Sequence, residues 1–163
     1  MQRGLLLTSL LLLSQPTSAM TNTNWSNISQ LEQAVERLGA RVQWSRMNKG
    51  DCVRQGLLGF YRPNSRTVLI CQQRIRDFGA SLIEILQHES WHAVQDICNG
   101  NRAVLNDNKI RSLLTEEDKK MLRTSYRSDE HRLEAEARAL EGLPLTAFLK
   151  GVNHYCIERI SLN

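Results

Sequence analysis

The segment from Ser81 to Cys98 constrains the fold more strongly than any other part of the sequence. Its apolar residues recur every three or four positions, as on one buried face of an α-helix. They are Leu82, Ile83, Leu86, Trp91, Val94 and Ile97. Asn99 and Gly100 follow, and a glycine at this point favours the end of a helix. We therefore predict a long amphipathic helix that packs in the core, with Trp91 as a core aromatic residue.

This helix carries the pattern His88-Glu89-Ser90-Trp91-His92. Histidines four residues apart project from one face of a helix, close enough to hold one ion. Imidazole is a good zinc ligand, and three protein ligands leave a fourth position for water. Glu89 is placed to take a proton from that water as the catalytic base. The pattern predicts a single zinc ion and hydrolysis of peptide or amide bonds, with a non-catalytic metal site or a core histidine pair as alternatives.

A third ligand is expected on a helix that we predict from Ser128 to about Glu141. Glu134 lies there, three residues before Ala137. The small side chain of Ala137 would allow close packing on the helix that carries His88 and His92. Glu130, Glu136 and His131 are rival ligands on the same segment.

The two motifs, His-Glu-x-x-His at residues 88–92 and Glu-x-x-Ala at residues 134–137, resemble those of the gluzincin metallopeptidases. The arrangement is similar to the minimal peptidase domains of the ImmA type, over roughly residues 55–140. The resemblance implies that Glu134 is the third zinc ligand. It also implies that an edge strand near the metal helix binds the substrate backbone by strand addition.

One residue departs from that family pattern. Arg138 follows Ala137, where the family commonly has an aspartate or asparagine, so the carboxylate that would orient a ligand histidine is missing from its usual place. Asp96 or Asp129 is a candidate substitute. His131 and Tyr126 are candidate donors to the oxyanion. We expect His154 and Tyr155, on the last helix, to pack rather than to take part in catalysis.

The remaining pattern predicts an α+β fold of the minimal zincin-like type. A first helix has its apolar positions at Ile28, Leu31, Val35 and Leu38 and ends at Gly39. A short strand, 41–44, precedes a hairpin of strands 55–61 and 66–71, joined by the turn residues 62–65. The hairpin should form part of the cleft. After a polar stretch, 101–127, with a short helix starting near Thr115, a last helix runs from Pro144 to about Arg159.

Four cysteines, Cys52, Cys71, Cys98 and Cys156, suggest two structural disulfides in an exported chain. Three connectivities are possible. We favour Cys52 with Cys71 across the hairpin, and Cys98 with Cys156 between the metal helix and the last helix. A cysteine zinc site is disfavoured because the sequence has no Cys-x-x-Cys pair.

The first 19 residues have the pattern of a signal peptide, with an apolar run from Leu5 to Leu13 and small residues up to Ala19. This run is too short for a membrane anchor, which needs about 20 apolar residues. We predict a secreted or periplasmic protein with a polar lead-in at residues 20–27, which contains sequons at Asn24 and Asn27, and a single domain at residues 28–163.

The scattered basic residues do not indicate nucleic-acid binding, although the formal net charge is +4. We expect a monomer that acts on a peptide or protein substrate. Two other classes fit the same residues. One is an inactive binding or inhibitor module on a metallopeptidase fold, which Arg138 favours; the other is a disulfide-stabilised structural domain without metal.

Overall fold

Seven α-helices and a three-stranded sheet make up the described part of the chain, in a computed structural model that describes residues 25–46, 50–53, 56–125 and 131–157. The elements in chain order are α1 (Trp25–Arg37), β1 (Arg41–Ser45), β2 (Gly59–Arg62), β3 (Thr67–Cys71), α2 (Gln72–Phe78), α3 (Leu82–Asn99), α4 (Asp107–Leu113), α5 (Glu116–Ser125), α6 (His131–Glu141) and α7 (Leu145–Val152). Short 3-10 segments, Gly50–Val53 and Pro63–Ser65, flank β2, and a π-helical turn, Asn153–Ile157, follows α7. The fold is therefore α+β and mostly helical.

The sheet has the strand order β1-β3-β2. Strands β2 and β3 form the expected antiparallel hairpin, while β1 pairs with β3 in parallel. Strand β2 begins at Gly59 rather than at residue 55, which lies outside the described residues. Strand β3 is central and β2 is at an edge, so the edge strand that contacts α3 is the first strand of the hairpin.

Helix α3 forms as the sequence predicts and lies at the centre of the core. The Ser81 hydroxyl caps its first turn by accepting a hydrogen bond from the Glu84 N–H, and Gly100 ends it in the left-handed conformation. Trp91 is 1% exposed and packs edge to face against Phe148 of α7, with ring centroids 5.7 Å apart. Helix α3 also packs against α1, α6, β2 and β3, so the site is built on a rigid element.

Both favoured disulfides are present in the structure. Cys52 bonds Cys71 and joins the segment before β2 to the end of β3. Cys98 bonds Cys156 and joins the end of α3 to the turn after α7. Structural disulfide bonds are typical of proteins in an oxidising compartment.

Several predicted boundaries were wrong. Residues 25–27 belong to α1, so they are not part of a flexible lead-in. Helix α7 ends at Val152, and residues 158–159 lie outside the described part of the chain, as do the predicted signal peptide and residues 20–24. Helices α2 and α4 were missed because each has seven residues and a single buried one, Ile75 or Ile110, which is too little for a periodic pattern.

None of the helices in the described residues is long and apolar enough to cross a membrane.

Candidate metal centre

Three side chains from α3 and α6 converge on one point. The Nε2 atoms of His88 and His92 are 3.2 Å apart. One carboxylate oxygen of Glu134 lies 3.3 Å from His88 Nε2, and the other lies 3.4 Å from His92 Nε2. The three residues thus form a group that could hold a metal ion, with one ligand atom from each within 4.8 Å of the others.

The other ring nitrogen of each histidine has its own partner. His88 Nδ1 lies 2.8 Å from a carboxylate oxygen of Glu141, and His92 Nδ1 lies 2.8 Å from the side-chain oxygen of Gln95. Both partners are acceptors, so each Nδ1 is the donor, and a neutral ring then carries its lone pair on Nε2. Two imidazole lone pairs and a carboxylate therefore face one another, an arrangement that requires a cation or a shared proton.

In the metal-free protein a proton can occupy this point. Burial alone would lower the pKa of His88, but hydrogen bonds to Glu134 and Glu141 raise it to about 9. Burial lowers the pKa of His92, and the charge on His88 lowers it further. One ring thus accepts the proton and the other stays neutral.

Glu141 supplies the carboxylate that the sequence lacks at position 138. One of its oxygens accepts from His88, and the other accepts from the Arg138 guanidinium at 2.7 Å. The substitute proposed on α3, Asp96, was wrong because its carboxylate accepts instead from the Tyr61 hydroxyl at 2.8 Å. Asp129 lies outside the described residues. Arg138 therefore anchors the orienting carboxylate rather than removing it.

Glu89 lies beside the two histidines and is 8% exposed. Burial raises its pKa to about 7 in the metal-free protein; the charge on His88 opposes this rise, and the carboxylates of Glu134 and Glu141 add to it. The backbone N–H of Tyr61 donates a hydrogen bond to the Glu89 carboxylate. The strand approaches closely because residue 59 is glycine: a Cβ there would lie 3.0 Å from Glu89 Cγ. A carboxylate with a pKa near neutrality is suited to act as a general base.

An open cleft of about 390 Å³ runs past this group. Edge strand β2 forms one wall, with Gly59, Phe60 and Tyr61, while Leu133 and Asn101 lie among its other lining residues. A smaller cavity of about 150 Å³ is also lined by Glu89, together with Ile85, Arg138 and Glu141, among others. The catalytic candidate Glu89 thus borders both spaces, and the hairpin is part of the cleft, as predicted.

The other candidates within the described residues lie apart from this group. Glu136 accepts hydrogen bonds from the backbone N–H groups of Val104 and Leu105, so it is not a ligand here. His131 lines a separate depression of about 260 Å³ between α4 and α6. His154 is exposed, and Tyr155 packs edge to face on Trp91, with ring centroids 6.2 Å apart. Tyr126 and Glu130 lie outside the described residues.

Sequence reasoning missed four residues that shape the site: Glu141, Gln95, Tyr61 and Gly59. The spacing of Gln95, three residues after His92 on one helix, was a usable signal, because residues so spaced are neighbours. The other three contacts join different elements, and no local pattern marks them.

The fold and the site define a small α+β domain with a group of two histidines and a glutamate able to hold a metal ion. Residues 25–157 match the family described as Domain of unknown function (DUF8637). This match covers most of the chain, and the chain therefore belongs to that family. No curated protein and no solved structure matches the chain.

Proposed function

We propose that this protein is an exported zinc-dependent peptidase of the zincin-like type, with His88, His92 and Glu134 as ligands. The convergence of the three ligand atoms carries the proposal. A zinc ion with four tetrahedral ligands at about 2.0 to 2.1 Å separates those ligand atoms by about 3.3 Å. The two Nε2 atoms are 3.2 Å apart, and the two different oxygens of Glu134 lie 3.3 and 3.4 Å from His88 Nε2 and His92 Nε2, so the separations are close to this value. The donor set of two imidazoles and one carboxylate also suits zinc.

Glu89 is the general base in this proposal. Bound zinc supplies Lewis acidity, which polarises a carbonyl and lowers the pKa of water. The Glu89 carboxylate takes the proton from the attacking water and can deliver it to the leaving amine. Its low exposure and the Tyr61 N–H hold it in one orientation, because a buried carboxylate keeps its hydrogen-bond partners.

The edge of β2 provides a surface for an extended substrate. The Leu58 carbonyl accepts from the Cys71 N–H, so the backbone groups of Leu58 face β3. Hydrogen-bonding direction alternates along an antiparallel strand, which directs the backbone of Gly59 away from β3 and towards the cleft. A peptide added there would gain backbone hydrogen bonds with little demand on its side chains.

The disulfide bonds support export, in addition to the signal-peptide pattern of the first 19 residues. Two disulfides persist in secreted and periplasmic proteins, whereas they are rare in a reducing cytosol. A secreted or periplasmic peptidase fits both observations.

An inactive binding module on the same fold is the second candidate. The observation in its favour is Tyr61, a cleft residue whose hydroxyl proton is given to Asp96 rather than directed to a substrate. Zinc bound tightly without hydrolysis of any peptide would favour this candidate, and chelator-sensitive cleavage would exclude it.

The test compares the mature protein with its Glu89→Gln variant on a mixed peptide library read by mass spectrometry. Glu84→Gln is the matched control, since Glu84 is exposed on the same helix. We expect about one zinc per chain in all three proteins, cleavage by the wild type and by the control, and loss of nearly all cleavage in Glu89→Gln. Undiminished cleavage by that variant would refute the proposed function.

A further inference from the structure

Glu136 is a fully buried carboxylate two residues after the ligand Glu134. It is 0% exposed. One oxygen accepts from the backbone N–H groups of Val104, at 2.7 Å, and Leu105. The other accepts from the side-chain amide of Gln95 at 2.8 Å. A charge removed from water in this way needs such donors, and its presence in the core calls for a reason beyond packing.

Gln95 connects this carboxylate to a metal ligand. Its Nε2 donates to Glu136 and also to the Leu133 carbonyl, at 3.0 Å. With two acceptors on the nitrogen side, the amide has one satisfied orientation, in which its oxygen faces His92 Nδ1 at 2.8 Å. His92 must then carry its proton on Nδ1, which leaves Nε2 as the ligand atom.

We propose that Glu136 is a positioning residue that acts through Gln95 to hold His92 in the tautomer and ring orientation that bind metal. The inference rests on the proposed function of the same site. Partners of this kind around ligand histidines raise the affinity for the metal. The same carboxylate holds the segment after α3 through Val104 and Leu105, near the cleft residue Asn101.

An amide cannot replace this carboxylate in its role. In a Glu136→Gln variant, a side-chain NH₂ would face either the two backbone N–H groups or the Gln95 NH₂, and donor would meet donor. If the Gln95 amide turns to avoid this conflict, its nitrogen faces His92 Nδ1 and the proton moves to Nε2. We therefore expect zinc affinity to fall about 10-fold to 100-fold, the effect typical of lost partners around ligand histidines.

A double substitution distinguishes this role from simple packing. Combining Gln95→Glu with Glu136→Gln exchanges the carboxylate and the amide. The new carboxylate at position 95 accepts from His92 Nδ1 and from the NH₂ of the new amide at position 136, whose oxygen accepts from the Val104 and Leu105 N–H groups. We expect the pair to recover zinc affinity relative to Glu136→Gln alone, a coupling that residues in one network show. The Leu133 carbonyl loses its donor in this exchange, so the recovery is expected to be partial.

The experiment measures zinc affinity by competition with a chelator, and the His92 tautomer by nitrogen NMR of the metal-free protein. Glu36→Gln, on the exposed face of α1, is the control. Wild-type affinity and an unchanged tautomer in Glu136→Gln would overturn the inference and leave the proposed function standing. Absence of zinc binding in the wild type would instead remove the proposed function, and the tautomer measurement would still decide the role of Glu136. If Glu136→Gln does not fold, the Gln95→Leu variant is measured instead. This variant leaves the contacts of Glu136 to Val104 and Leu105 in place. We expect it to lose zinc affinity, and unchanged affinity would overturn the inference.

Discussion

Replacing Gly59 with alanine tests how closely the edge strand must approach the Glu89 carboxylate, the proposed catalytic base. The new Cβ would lie 3.0 Å from Glu89 Cγ, 3.0 Å from the Leu69 backbone oxygen and 3.1 Å from Ile85 Cγ2. Carbon atoms in contact prefer about 3.5 to 4.0 Å. Two of these three neighbours resist movement, because Leu69 is in the central strand and Ile85 is β-branched on α3.

The strand must therefore move away from α3 by about 0.5 Å or more, and the Tyr61 N–H moves away from Glu89 with it. Overpacking of this kind lowers the free energy of unfolding by about 1 to 3 kcal/mol. Displacement of groups at a catalytic site by about 1 Å can reduce the rate about 100-fold, so we expect kcat/KM to fall at least about 10-fold. Zinc content should not change, because Gly59 is not a ligand.

Urea unfolding measures the stability, elemental analysis measures the zinc content, and peptide cleavage measures kcat/KM. Gly142→Ala is the control, since a Cβ there would meet no atom within 4 Å. If Gly59→Ala matches the control in both stability and cleavage, the close packing of β2 on Glu89 is wrong.

Three further predictions concern ligand support, pH and the disulfides. Glu141→Gln should weaken zinc binding about 10-fold to 100-fold in a chelator competition, because His88 loses a charged partner; equal affinity would contradict this role. The zinc-free protein should lose stability in thermal melts as pH rises from about 6.5 to about 9: because folding raises the pKa of His88, the stability that this proton contributes is complete below pH 6.5 and is lost as the pH passes through about 9. Zinc-loaded protein should not show this loss. Replacing both Cys98 and Cys156 with alanine should lower the free energy of unfolding by about 4 kcal/mol in urea, since the bond spans 58 residues; no change would mean that the bond does not constrain the unfolded chain.

Local patterns carried the prediction of α3 and of the hairpin. Helix α3 has a buried face, a serine cap and a terminal glycine, and each of these features depends on residues that are close together in the sequence. The position of β1 depends on pairing with β3, across more than 20 residues of sequence. The sequence therefore predicted the strands but could not show that β3 is central and that β2 is an edge strand.

The histidines of the site were predictable because one helix fixes their relative position. The proposed third ligand was harder to predict, since Glu134 and Glu136 are two residues apart and point to different sides of α6. The sequence cannot tell which side faces α3. The structure directs Glu134 to the histidines, and Glu136 to Gln95 and the segment after α3.

The orienting groups depend on contacts between elements. Glu141 reaches His88 across 53 residues, and Tyr61 reaches Asp96 across 35. Asp96 looked suitable because it follows His92 by one helical turn. The structure places it against the edge strand instead, and this pairing follows from packing that no single segment encodes.

X-ray absorption at the zinc edge, on protein purified without chelators, measures the central feature most directly. The convergence of His88, His92 and Glu134 predicts about one zinc per chain, with nitrogen and oxygen neighbours at about 2.0 to 2.2 Å, two of them imidazole, and no sulfur. A sulfur neighbour at about 2.3 Å would contradict the assignment of the ligands. Protein that neither contains zinc nor takes it up on dialysis would contradict the metal centre itself.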